Sequence, residues 1–166
     1  MTVNPNAGLA VRLATEADAA LVFELALRAF AEFRETLIPP PGVLRETPEV
    51  VQAQIRDHGA ALAFLNGSAV GSVRFEDKGD FVYIGRLAVP PEFRGAGVGG
   101  ALMTFVEQQA REIGRVETRV QVREALPGNI AMFEYLGYAP IAREPHPNVP
   151  EAGTVILAKR LSEISA

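Results

Sequence analysis

The spacing of apolar residues predicts four helices, each bounded by glycine, proline or a capping residue. A capping-box pattern opens on Thr15, and Thr47-Pro48 places a capping hydroxyl before a proline in the first turn. Apolar residues then recur at helical intervals, and Gly59, Gly114 and Gly137 mark three helix ends. The predicted helices lie within residues 15–38, 48–58, 98–113 and 127–136.

Seven further segments have the alternation or the short apolar runs that are typical of strands. Asn66-Gly67 separates two of them and predicts a tight hairpin turn. Segment 81–89 is apolar on both alternations, so we expect it to lie centrally in a sheet, with a bulge at Gly85. The predicted strands are 10–13, 61–65, 69–75, 81–89, 116–122, 138–143 and 154–161.

These elements follow one another in the order β-α-α-β-β-β-α-β-α-β-β. The order describes a three-strand antiparallel meander that leads into one right-handed βαβ crossover. We predict a single domain over residues 1–166 of the α/β (α+β) class. Its central sheet would be mixed and mostly antiparallel, with about seven strands flanked by four helices.

Composition narrows the class of protein. The chain of 166 residues is 48% apolar and 22% charged, with a net charge of −4 and no basic stripe, so a nucleic-acid partner is not expected. It has no cysteine, which excludes disulfides, thiolate metal ligands and cysteine nucleophiles. Residues 1–12 lack a signal-peptide pattern and no apolar run approaches a membrane span. We expect a cytoplasmic protein without a membrane partner or a metal.

The candidate chemistry is concentrated in the turn between segment 81–89 and the helix that follows it. Glycines alternate there at Gly95, Gly97 and Gly99, and they let a ligand approach the backbone closely. Free amides of the first helical turn favour an anion, and Arg94 precedes them as a candidate phosphate ligand. The pattern predicts a pyrophosphate-binding turn.

Two other nucleotide-binding motifs fit this turn less well. Residues 95–100 match G-x-G-x-x-G, and Glu117 follows at a suitable distance for a dinucleotide-binding fingerprint. That motif belongs after the first strand of a wound parallel sheet, whereas this turn follows a meander. A nucleoside-triphosphate loop needs a lysine that the turn lacks.

The string R-x-x-G-x-G at residues 94–99, after a strand that ends at residues 87–90, resembles the first signature of the GNAT superfamily of acyl-CoA-dependent N-acyltransferases. Residues 129–138, a helix that runs into Leu-Gly-Tyr, resemble the second signature. The element order agrees with the family fold over residues 10–161. The resemblance implies transfer of an acetyl group from acetyl-CoA, the co-substrate, to an amine of a small molecule or a peptide.

The resemblance also implies which residues hold CoA. The pyrophosphate would lie on the turn formed by Arg94, Gly95, Ala96, Gly97, Val98, Gly99 and Gly100. The pantetheine arm would pair with the main chain of Leu87, Ala88 and Val89, and an amide there, that of Val89 in the first place, would polarise the thioester carbonyl. Asn129 and Phe133 would border the arm, although Phe133 is equally typical of a core residue.

The chain departs from the family pattern at the two positions that usually carry acid–base chemistry. Tyr83 stands where many members have a base carboxylate, and Phe133 stands where many have an acid tyrosine. Tyr83 and His146 are the candidate replacements; a strand tyrosine is also typical of a core, and a loop histidine of the surface. These departures leave open a non-catalytic acyl-CoA-binding sensor or interaction domain.

The acceptor side is the least determined part of the sequence. In the family, the first two helices and their joining loop form its wall, which here corresponds to residues 33–48. Glu35 and Glu46 in that segment would favour a cationic amine, unless they are only solvated. A homodimer is possible by analogy with the family.

Overall fold

The computed structural model describes residues 8–162, and within this range the predicted order of elements is confirmed. The first seven residues, part of the segment that lacks a signal-peptide pattern, lie outside the described residues, as do the last four. The elements are β1 Leu9–Leu13, α1 Ala19–Phe30, α2 Pro48–Asp57, β2 Ala60–Leu65, β3 Ser68–Asp77, β4 Val82–Ala88, α3 Val98–Glu112, β5 Glu117–Arg123, α4 Pro127–Tyr135, β6 Ala139–Glu144 and β7 Thr154–Arg160.

The seven strands form one mixed sheet in the order β1-β2-β3-β4-β5-β7-β6. Strands β4 and β5 run parallel, joined by the crossover helix α3, and the other neighbours among the described strands are antiparallel. The predicted fold class, a mostly antiparallel mixed sheet with four helices, is confirmed.

The two faces of the sheet are covered by different helices. Along β2, Ala60 and Leu62 pack against α1 and α2, whereas Ala61 and Ala63 belong to the cluster that includes α3. This alternation follows from the period of two in a strand. Buried Phe133 of α4 lies in the same cluster as α3. None of the helices between residues 8 and 162 combines the length and apolar character needed to cross a bilayer.

The pairing of β4 with β5 is short, and this positions the site. The strands pair at Val82 with Thr118 and at Tyr83 with Arg119, which lie at their amino-terminal ends. Beyond these pairs a cavity lies between residues 83–87 of β4 and 120–123 of β5. The sheet is therefore open where the two parallel strands point toward the glycine turn.

A bulge in β4 adds to this irregularity. Ser72 of β3 pairs with Ala88 and Arg74 pairs with Gly85, so two residues of β4 face one residue of β3. The predicted bulge in this strand is present, but it follows Gly85 and consists of Arg86 and Leu87. Arg86, inside the bulge, has a φ of 53°, which is uncommon for a residue with a side chain.

Candidate active site

The glycine turn connects β4 to α3 through a short 3-10 helix at Pro91–Phe93. Gly95 and Gly97 have φ values of 88° and 80°, in the left-handed region that glycine adopts without strain. Gly97 is the residue before α3, and no described side chain caps the helix. The amides of the first helical turn, from Val98 to Gly100, are therefore available to a ligand.

These amides lie along a groove of about 450 Å³. A Cβ atom on Gly99 or Gly100 would reach only Leu87 or Leu136, at 3.8 and 3.7 Å, so the two glycines leave the groove open on this side. An uncapped, positively polarised helix end beside an apolar channel fits a pyrophosphate with an attached pantetheine arm. The groove is lined by Ala29, Phe30, Phe33, Leu87, Val89, Phe93, Arg94, Gly95, Gly97, Val98, Gly99, Gly100, Asn129, Met132, Phe133, Tyr135 and Leu136.

Two of the predicted CoA-binding residues turn their side chains elsewhere. Ala88 is fully buried and packs with Ala26, Ala29 and Val43, on the side of α1. Ala96 packs against the core cluster of α3. Only the main chain of these two residues is left for a ligand.

Arg94 lies at the rim of the groove, but its guanidinium contacts protein groups. Nε donates to the carbonyl of Val89 at 2.9 Å, and Nη2 donates to the carbonyl of Ala29 at 3.2 Å. Nη1 lies 2.7 Å from Oε1 of Glu32. In this arrangement Arg94 fastens the glycine turn to the end of α1, which differs from the phosphate contact that the motif predicts.

A second cavity, of about 210 Å³, lies in the opening between β4 and β5. It shares five lining residues with the groove, from α1, the segment after it, β4 and α4. The two spaces therefore meet at Phe30, Phe33, Leu87, Asn129 and Phe133. A thioester carried along the groove would reach the cavity at this junction.

Tyr83 lines the cavity, as the family position predicts. Its ring lies against Gly85, where a Cβ atom would be 2.9 Å from Cε1, so the glycine makes room for the aromatic ring. Burial raises the pKa of the Tyr83 phenol above its ordinary value of 10.0, and Arg86 partly offsets this. The hydroxyl therefore remains protonated at neutral pH and is a proton donor rather than a base.

The other catalytic candidate, His146, does not line the groove or the cavity. It lies in the loop between β6 and β7, and its Nδ1 accepts a hydrogen bond from the Asn148 amide at 3.1 Å. Phe133, by contrast, lies at the junction and packs edge-on against Tyr138, with centroids 5.9 Å apart. Phe133 belongs to the core cluster and also lines the groove, so its position is compatible with either of the two interpretations of the sequence.

Sequence reasoning missed two arginines that line the cavity, Arg86 and Arg123. The available signal was a single arginine inside the otherwise apolar segment 81–89. Glu46, expected to favour a cationic acceptor, is instead held by the buried Arg74, at 2.7 and 3.1 Å. Glu35 is exposed and lies outside the cavity lining.

The comparison with family models agrees with this geometry. Residues 25–138, more than half of the chain, match the acetyltransferase (GNAT) family. The chain therefore belongs to this family of acyl-CoA-dependent N-acyltransferases. No curated protein sequence matches it significantly.

Solved structures of the family show the same fold at low sequence identity. Ard1 from Thermoplasma volcanium is 20% identical with a TM-score of 0.77, over 94% of this chain and 99% of that one. The ribosomal-protein-S18-alanine N-acetyltransferase from Escherichia coli is 16% identical with a TM-score of 0.74, over 95% and 96%. A GNAT family acetyltransferase from Elizabethkingia anophelis with acetyl-CoA bound is 15% identical with a TM-score of 0.71, over 93% and 99%.

Proposed function

We propose that the protein transfers an acetyl group from acetyl-CoA to a primary amine by direct attack of the amine on the thioester. The observation that carries this proposal is the junction between the groove at the uncapped end of α3 and the cavity between β4 and β5. A donor and an acceptor that entered from these two sides would meet there. The proposal includes a cytoplasmic location and a homodimer, both of which are expectations from the sequence.

The residues of the groove would hold the co-substrate mainly through the main chain. The amides of the first turn of α3 would bind the pyrophosphate, and residues 87–89 and Asn129 would border the pantetheine arm. Acetyl-CoA supplies the acetyl group as a thioester. A main-chain amide at the end of β4 would polarise the carbonyl oxygen.

The reaction forms a bond from nitrogen to the acetyl carbon and breaks the bond from that carbon to sulfur. No carboxylate or histidine of residues 8–162 lines the cavity, so we assign removal of the ammonium proton to water. We assign Tyr83 the role of protonating the leaving sulfur, because Tyr83 lines the cavity and burial keeps its hydroxyl in the neutral form.

The first expected result is CoA release that depends on both acetyl-CoA and an amine. The measurement is thiol formation with a panel of amines, amino acids and short peptides, together with CoA binding by calorimetry. CoA binding without release on any amine would instead support the sensor function, which Phe133 in the place of the usual acid tyrosine favours. Protection against heat by NAD but not by CoA would contradict both.

Replacing Tyr83 with phenylalanine is expected to lower kcat about tenfold and leave KM for acetyl-CoA unchanged. The effect is smaller than is usual for general acid catalysis, because a thiol ionises readily and needs little help to leave. The wild-type rate should rise with pH as the amine loses its proton. Since the Tyr83 pKa lies above 10.0, no decrease in rate from loss of the Tyr83 proton is expected until the pH exceeds about 10.

A matched control for this change is Tyr138→Phe, which also removes a phenol oxygen but at a position outside the cavity. The Tyr138 hydroxyl lies 2.8 Å from Oγ1 of Thr118 and donates to Oε2 of Glu107 at 2.8 Å, in the core. This variant should lose thermal stability and keep kcat. An unchanged kcat in Tyr83→Phe, or a wild-type rate that falls between pH 8 and 9, would contradict the role of Tyr83.

A further inference from the structure

The cavity between β4 and β5 has arginine on both walls. Beyond the last pair of the two strands, Tyr83 with Arg119, β4 contributes Arg86 and β5 contributes Arg123 to the lining. Arg86 and Arg123 therefore lie on opposite walls of the space that an acceptor would occupy. This inference rests on the proposed function and concerns the chemistry of its acceptor.

Arg86 has an unusual backbone conformation inside the bulge of β4. The bulge places an extra residue in β4, and Arg86 takes a φ of 53° within it. A residue with a side chain is held in this region only when its surroundings demand it, and such residues cluster at functional sites. The bulge is what directs the Arg86 side chain into the cavity lining.

Arg86 shares its carboxylate partner, Glu46, with the buried Arg74. Within residues 8–162 it donates no hydrogen bond, and its nearest carboxylate is Glu46, 3.7 Å from Nε. Both oxygens of that carboxylate already accept hydrogen bonds from Arg74. A Cβ atom on Gly42 would lie 3.1 Å from Nη2 of Arg86 and 3.6 Å from Nη2 of Arg45, so two like charges face the same small space.

Arg123 is in a similar position on the opposite wall. Its Nη1 is buried and finds no hydrogen-bond partner among the described residues, and its Nη2 reaches only the carbonyl of Pro40, at 3.5 Å. Burial lowers the pKa of Arg123, and the charges of Arg45 and Arg86 lower it further. A buried guanidinium donor without an acceptor is unfavourable, and a shift of the Arg123 side chain toward an anion in the cavity would remove this penalty.

No acidic side chain of residues 8–162 lines the cavity. Glu151 lines the adjoining cavity together with Arg123, but the two form no ion pair within 4 Å. The space is therefore positively charged on both sides. A cationic amine without any negative group would be repelled from it.

We propose that the acceptor is a small amine that also carries an oxyanion, either a carboxylate or a phosphonate, and that Arg86 and Arg123 bind this oxyanion. The planar guanidinium matches both groups through paired N–H donors. Binding there orients the amine of the acceptor toward the junction at Leu87 and Phe133. The cavity of about 210 Å³ suits a molecule of the size of an amino acid rather than a folded protein surface.

The test compares each amino acid with its carboxamide as acceptor, and glycine with aminomethylphosphonate. The carboxamide is the more reactive amine, because its ammonium group loses a proton more readily. A kcat/KM that is about tenfold to a hundredfold higher for the acids would therefore report recognition of the oxyanion. Similar values for the carboxylate and the phosphonate would show that the shared charge is recognised, whereas a preference for one identifies the natural group.

The variants Arg86→Gln and Arg123→Gln locate the recognition. Each should raise KM for the acidic acceptor about tenfold or more, leave KM for acetyl-CoA unchanged and abolish the preference over the carboxamide. Lysine at the same positions should restore part of it. The matched control is Arg119→Gln, on β5, because Arg119 pairs with Glu117 and lies over the Phe81 ring, outside the cavity lining. It should keep the preference.

The outcomes separate this inference from the proposed function. Acetylation of amines without regard to their charge would overturn the inference and leave acetyl transfer standing. If no amine is acetylated, acetyl transfer fails, and calorimetry with CoA present decides the inference. Binding of an acidic amine that Arg86→Gln weakens would support it, and absence of such binding would overturn it.

Discussion

A glutamate in place of Gly99 is expected to abolish acetyl-CoA binding while the fold is retained. Gly99 is the second residue of α3, and a Cβ atom there would contact only Leu87, at 3.8 Å. A carboxylate at this position would lie beside the first-turn amides and occupy the proposed pyrophosphate-binding site. Repulsion and the loss of charge-assisted hydrogen bonds should weaken binding by about a hundredfold or more.

The same substitution should not lower stability, and this makes the test sharp. An acidic residue in the first turn of a helix interacts favourably with the helix dipole, and glycine is a poor helix former. Both effects predict that the melting temperature of the ligand-free variant equals or exceeds that of the wild type. A loss of CoA affinity would then be due to the groove and not to unfolding.

Calorimetry with CoA and thermal unfolding without it measure the two expectations. Thr104→Glu is the matched control, because Thr104 is exposed on the same helix and the charge change is identical. Gly99→Ala should bind CoA nearly as well as the wild type. If Gly99→Glu binds CoA as tightly as the wild type, the pyrophosphate of CoA does not lie at the amino-terminal end of α3.

The geometry of the glycine turn could be predicted from the sequence because it is local. The end of β4, the glycine turn and the start of α3 are contiguous, so helix-start signals and glycine positions determine their geometry from neighbouring residues. Gly95 and Gly97 adopt the positive φ values that their positions suggest. The groove follows from this local geometry, and most of the predicted CoA-binding residues line it.

The cavity between β4 and β5 depends on contacts between distant parts of the chain, and the sequence did not reveal it. The cavity exists because β4 and β5 pair at only two positions, which no periodicity in either strand indicates. Arg123 belongs to the polar alternation of β5, and such residues are usually solvated. Arg86 interrupts the apolar pattern of segment 81–89, but the direction of its side chain depends on the bulge opposite Val73.

Glu46 is another residue whose contacts the sequence could not indicate, because its partner is distant along the chain. In the sequence it is one charge in a loop, and loop charges are typically solvated. In the fold it reaches Arg74, 28 residues away on β3, and forms a nearly buried ion pair with side-chain exposures of 13% and 4%. Gln54 of α2 adds a third contact, with its Oε1 2.5 Å from Nη1 of Arg74. One buried guanidinium therefore joins the acceptor-side loop, α2 and the sheet.

Replacing Glu46 with glutamine is expected to destabilise the protein by about 3 kcal/mol, the low end for a buried ion pair that loses one partner. The penalty arises because Arg74 stays charged in the core, where its Nε already has no hydrogen-bond partner among the described residues. For a domain of this size the loss corresponds to a fall in Tm of about 6–12 °C. Thermal and urea unfolding measure it.

A double-mutant cycle with Arg74→Met separates the buried charge from the loss of packing. In the pair Glu46→Gln/Arg74→Met the buried charge of Arg74 is removed as well, so the double variant should be more stable than Glu46→Gln alone. Asp77→Asn is the control, because Asp77 and Arg115 also form a two-point pair but are much more exposed, and its effect on Tm should be far smaller. Additive losses in the cycle would contradict the argument, since they would show that the charge left on Arg74 is not the cause.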